Sequence, residues 1–144
     1  MTLQKLSISK EIVIDVEPRI LFQALTHADE IVRVFPYKSI EADLKEGGLF
    51  VLRGEHDGNA FTDHGVIETF EPPEVFQYRY WSDNHGTKRT PENHLVIRYE
   101  LKAISAGETH LHVTHEKIPP GAYHEMMMGA WDVLLQQLKS TIEA

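Results

Sequence analysis

The 144-residue chain contains no cysteine. That removes disulfides and thiol chemistry from consideration, and it is the usage expected of a cytoplasmic protein. No apolar run approaches the roughly 18 residues needed to cross a bilayer, so no membrane association is expected. The opening stretch MTLQKLSISKEIVID alternates instead of building a continuous apolar segment, so no signal peptide is expected either. Positive charge is scarce: 14 Lys plus Arg stand against 22 Asp plus Glu, a formal net charge of −8. Polyanions are held by basic surfaces, which makes nucleic acid an unexpected partner; the densest basic patch, Thr87–Lys88–Arg89, is small. No repeat, low-complexity tract or linker divides the chain. One domain over residues 1–144 is expected, long enough to bury roughly 68–70% of its unfolded surface.

What is present is alternation. Ile8, Ile12, Ile14 and Val16 share one face of an opening strand, with Lys10 as the exception and Val13 turned away. Pro18 then suits a first helical position, and Val16 and Leu21 have the spacing of a hydrophobic staple around that start. PRILFQAL reads as a short helix. Thr26 and Asp29 are spaced to cap a second one, which Pro36 ends. From 38 to 118 the signals are strands: SIEADL, GLFVLRGE, HGVIETFE, VFQYRYW, HLVIRYELKAI and THLHVTHEKI. Turn residues separate them, so with the opening strand the chain has seven, joined by mostly short connections into a curved antiparallel sheet. After Pro119–Pro120–Gly121, residues 122–144 read as one long helix. Met127, Trp131, Leu134, Leu138 and Ile142 form its apolar stripe, with Leu135 beside it.

His110, His112 and His115 lie close enough in sequence to suggest a metal site. Strand pairing argues otherwise. With Ser105–Ala106–Gly107 as a three-residue turn, Gly107 left-handed, Leu111 meets Leu101, Val113 meets Tyr99 and His115 meets Ile97. His110 and His112 then fall beside Lys102 and Glu100 on the charged face, and Thr114 beside Arg98. A slip of one residue would bury Lys102 and Arg98. Histidines on opposite faces do not converge on one ion, so no metal is expected. His115 points inward, either as a core histidine satisfied by neighbours or as a polar anchor or proton-transfer group.

The order of one strand, two short helices, six strands and a long helix is that of a helix grip. IDVEPRILFQALTHADEIVRVF, LKEGGLF, GVIETFEPPEVFQYRYW, GETHLHVTHEKI and GAWDVLLQQLK, taken in order, resemble the C-terminal domain family of the heat-shock-protein-90 ATPase activator. That family lies within the SRPBCC, START-like, Bet v 1-like superfamily, and the resemblance covers about residues 8 to 142. It implies an α+β fold in which the sheet wraps the C-terminal helix, with a cavity between them in many members. It supplies no catalytic motif, because the family has no shared one, and no cofactor is expected. The co-chaperones carry a further N-terminal domain that this sequence does not contain, which argues against a chaperone-activating role.

Alternation supplies the expected cavity lining: Phe50, Leu52, Phe76, Tyr78, Tyr80, Ile97, Tyr99, His115, Met127 and Trp131, with Trp81 curling over the mouth. For HGVIETF two phases stay open, Val66/Glu68/Phe70 inward or Ile67/Thr69 inward; the first would bury Glu68. Met126, Met127 and Met128 add adaptable surface. Lys88, Arg89 and His85 lie on a loop expected to flank the entrance, either as a solvated loop or meeting a ligand carboxylate or phosphate. The expected function is binding of a small hydrophobic or amphipathic molecule. Alternatives are a chaperone-associated or stress-response interaction module, and a cyclase- or hydrolase-like enzyme using His115 and Tyr99. No nucleophile elbow or phosphate loop supports the last, so no catalytic residue is assigned. A homodimer through a sheet edge stays open.

Overall fold

The computed structural model describes residues 4–144. Strand β1 (Leu6–Ile14) buries Ile8 and Ile14 and half-buries Ile12. Lys10, the charged exception on that face, reaches Asp132 of the last helix at 3.1 Å. The odd charge is therefore paired across the seam between sheet and helix.

Helices α1 (Pro18–Thr26) and α2 (Ala28–Val34) follow, with Pro18 at the first helical position as expected. Thr26 does not cap α2. It is the last residue of α1, fully buried, and its hydroxyl donates to the Phe22 carbonyl at 2.8 Å; His27 stands at the junction instead. A buried hydroxyl facing no other acceptor satisfies itself on the carbonyl one turn back.

The remaining strands are β2 (Tyr37–Ala42), β3 (Leu49–His56), β4 (Asn59–Glu71), β5 (Val75–Ser82), β6 (Leu95–Ser105) and β7 (Glu108–Ile118), and α3 (Ala122–Ile142) closes the chain. They form one curved antiparallel sheet in the order β1-β7-β6-β5-β4-β3-β2. This is the α+β helix-grip architecture. β2 begins two residues earlier than its alternation suggests, and β4 begins at Asn59, five residues earlier.

The β6–β7 register is the expected one: Leu101 faces Leu111, Tyr99 faces Val113 and Ile97 faces His115. The turn differs. Ser105 pairs with Glu108, so Ala106 and Gly107 alone connect the strands, Ile104 is bulged out, and Gly107 is not left-handed. The bulge takes up the extra residue and leaves the register beyond it unchanged.

A second bulge decides the phase of β4. Ile67 pairs with Tyr78 and Phe70 with Phe76, with Glu68 the extra residue between them. Neither simple alternation holds, because Ile67 and Phe70 both reach the core. Glu68 is exposed and accepts from Gln77 at 3.0 Å on the outer face.

Along α3 the fully buried residues are Trp131, Leu135 and Leu138, while Met127, Leu134 and Ile142 are half-buried. The stripe is thus turned toward Leu135 relative to the expected one. Lys139 ties the far end of the helix to β1 by donating to the Val13 carbonyl at 3.0 Å. Glu143 does the same by accepting from the Asp15 N–H at 2.7 Å.

Candidate functional site

Between α3, α2 and the concave face of the sheet lies a cavity of about 490 Å³. Strand alternation makes it aromatic. Inward positions two apart on β5 supply Tyr78 and Tyr80, β6 supplies Ile97 and Tyr99, and β3 supplies Phe50 and Leu52. Met127 and Trp131 border it from α3. All 5 tyrosines of the chain, Tyr37, Tyr78, Tyr80, Tyr99 and Tyr123, line this one space. Exposed Asn84, Met126, Val133 and Gln137 also border it and mark where it opens.

Three expected lining residues stand elsewhere. Phe76 is fully buried beneath the floor, its ring 5.1 Å from Phe50 and 6.3 Å from Tyr99. Trp81 follows inward-facing Tyr80, so the pleat turns it outward. It lies over His64, donates to Thr87 at 3.2 Å and carries the Arg89 guanidinium 5.9 Å from its ring. Arg89 is therefore held on the outer face, and neither it nor Lys88 borders the cavity. His85 packs against Tyr80 and Tyr123 at 5.5 and 4.9 Å, and burial lowers its pKa to about 4.

His115 is the third. It is fully buried behind the cavity wall, and its two ring nitrogens are both engaged. Trp131 donates its indole N–H to Nδ1 at 3.0 Å. An indole N–H can only donate, so Nδ1 carries the lone pair and the neutral ring is protonated at Nε2. Nε2–H then donates to the Tyr80 oxygen at 2.8 Å, which leaves the Tyr80 proton for Tyr123 at 3.2 Å. The chain of donors runs from Trp131 to His115 to Tyr80 to Tyr123, and it ends with the Tyr123 proton at the cavity. Burial, with smaller contributions from His85 and His124, lowers the His115 pKa to about 3. No hydrogen bond joins His115 to Tyr99; the structure brings Tyr80 to it instead. His110 and His112 lie on the outer face, 3.5 Å from Glu11 and 3.6 Å from Glu100.

Asp63 is the site residue that alternation did not reveal. It lies between Leu52 on β3 and Ser82 on β5, faces the cavity and is 8% exposed. The Tyr37 hydroxyl donates to it at 3.3 Å. Burial raises its pKa to about 6, against smaller downward pulls from the Ser82 and Tyr37 hydroxyls. Its signal was the inward set Phe61, Asp63, Gly65 and Ile67, readable backwards once Ile67 is known to face in. At Gly65 a Cβ would stand 2.5 Å from the Phe50 carbonyl oxygen, so only glycine allows β3 and β4 to approach there. Among the described residues, no group of three or more His, Asp or Glu is placed to hold a metal ion.

The sequence matches the family model described as "Activator of Hsp90 ATPase homolog 1-like protein" over residues 15–143. Among curated proteins, none matches. A solution structure of a protein from Cytophaga hutchinsonii is 26% identical with a TM-score of 0.82, covering 99% of this chain and 97% of that one. An HSP90 activator from Plasmodium falciparum is 21% identical with a TM-score of 0.77, covering 95% and 96%. The Aha1 dimer from Colwellia psychrerythraea is 18% identical with a TM-score of 0.72, covering 93% of each chain. At those identities the last two share the fold.

Proposed function

The chain belongs to the family of activator of Hsp90 ATPase homolog 1-like proteins, and from that premise we propose that it is a receptor for a small, largely apolar molecule held between the sheet and α3. The observation that carries the proposal is the open, aromatic cavity of about 490 Å³. That volume lies within the range of small-molecule sites, which are mostly apolar with a few placed polar groups. Here those groups are Asp63 and the tyrosine hydroxyls. Asp63 is the most telling, because a carboxyl of raised pKa facing a cavity is the kind of group that binding sites retain. His115 has no free nitrogen, so the proposal gives it a structural part: it orders Tyr80 and Tyr123 along the wall.

A thermal-shift screen combined with native mass spectrometry tests the proposal. A compound at 100 times its Kd stabilises the fold by about 2.7 kcal/mol, which is easily read as a rise in Tm. We expect apolar molecules of one or two rings to raise Tm and to appear as an added mass. If no apolar amine, alcohol or acid did either, the receptor reading would be wrong.

The second reading, association with a chaperone of the heat-shock-protein-90 class, is supported by the family description and by the Plasmodium neighbour. It predicts direct association of the purified pair by sedimentation. Independent sedimentation of the two proteins would dispose of it.

A further inference from the structure

We infer that the cavity selects a hydrophobic amine, whose ammonium group pairs with Asp63 while its apolar body lies along Tyr78, Tyr99 and Trp131. The inference rests on the receptor reading above and adds the chemical class of the ligand.

Among the described residues no Lys, Arg or His borders the cavity, and Asp63 is its one acid. The groups facing Asp63 are Tyr37 from β2, Tyr78 and Tyr80 from β5, Asp83 just beyond β5, and Tyr123 from α3. Every one is neutral or acidic. The Ser82 hydroxyl beside it is shared with Asn84 Oδ1 at 2.6 Å. With its pKa at about 6, Asp63 is mostly ionised at neutral pH. The fold thus holds a buried carboxylate with hydroxyl donors from Ser82 and, at 3.3 Å, Tyr37, and with no positive group among the described residues that face it.

A buried charge is costly unless paired and hydrogen-bonded. An ammonium group supplies both the charge and the N–H donors. The neighbouring rings of Tyr37 and Phe61, with centroids 6.3 Å apart, offer the electron-rich faces that attract cations. A carboxylate ligand would meet repulsion from Asp63 and find no cation in the lining. The net charge of −8 favours the approach of a cation over that of an anion.

The test is isothermal titration calorimetry with three probes of one shape: naphthylethylamine, naphthylethanol and naphthylacetate. The amine is expected to bind about tenfold tighter than the alcohol and about 100-fold tighter than the acetate at pH 7.5. Asp63→Asn should erase the advantage of the amine over the alcohol. Should that variant fail to fold, the wild type decides by itself: on acidification from pH 7.5 to 5, amine affinity falls while alcohol affinity stays flat. Equal or better binding of the alcohol or acetate, or an amine preference that survives Asp63→Asn or acidification, would overturn the inference and leave the receptor reading standing. Failure of all three probes to bind would overturn both.

Discussion

Trp131 Nε1 donates to His115 Nδ1 at 3.0 Å, and this one contact sets which nitrogen of the buried, neutral imidazole carries the proton. The ring is expected to stay neutral and protonated at Nε2 from pH 8 down to pH 5 in nitrogen NMR spectra. Its folded pKa of about 3 lies below the unfolded 6.5, so the unfolded chain takes up the proton first. Stability from this group is complete above the unfolded pKa and is lost as pH falls toward 3. His85, lowered to about 4, acts in the same sense. A ring that titrates near 6.5 in the folded protein would refute this assignment.

Tyr80 and Tyr123 should respond differently to loss of their hydroxyls. Tyr80→Phe leaves His115 Nε2–H buried without an acceptor, at a cost of about 1–3 kcal/mol. Tyr123→Phe removes the acceptor of the Tyr80 proton, but Tyr80 borders the open cavity, where water can take that place, so the cost should be less than about 1 kcal/mol. Urea denaturation of the two variants measures the contrast. Equal losses would mean that the donor order is different.

Asp63→Asn gives a pH-dependent gain. The carboxyl is raised from 3.8 to about 6, so its favourable neutral form is fully present below pH 3.8 and is lost as pH rises through 6. The neutral amide escapes that loss. The variant should match wild type near pH 4 and exceed it at pH 7.5 by on the order of 2–3 kcal/mol, read from thermal melts at the two pH values. A gain of equal size at both would rule out ionisation as its source.

Gly65→Ala should destabilise the sheet. The added Cβ would press on the Phe50 backbone at 2.5 Å, where no flexible side chain can yield. Overpacking of this kind costs about 1–3 kcal/mol, measurable as a lowered urea midpoint. By contrast, Gly129→Ala on α3 meets open space and should be neutral or stabilising.

The contrast between His115 and Asp63 marks what could be read from residue order. β6 and β7 each alternate cleanly and carry charge on one face, so only one register keeps Arg98 and Lys102 in water, and His115 follows as an inward residue. β4 carries a bulge at Glu68, and a bulge breaks the period that alternation depends on. That leaves the face of Ile67 open in the sequence, and with it the phase that runs back through Gly65 to Asp63 and the strand's first five residues. Tyr123 was hidden for a different reason. It precedes the apolar stripe of α3, and only the closing of that helix over the sheet brings it to Tyr80. Trp81 lies outside rather than over the mouth, because the pleat that points Tyr80 inward turns the next residue out.

An NMR titration with naphthylethanol, the uncharged probe, tests the receptor reading most directly. Binding should shift the Trp131 indole N–H and the backbone amides of Leu52, Asp63 and Tyr99 along one saturating curve, while His110 and His112 on the outer face stay still. Shifts confined to the outer face, or none at millimolar probe, would contradict a ligand site between the sheet and α3.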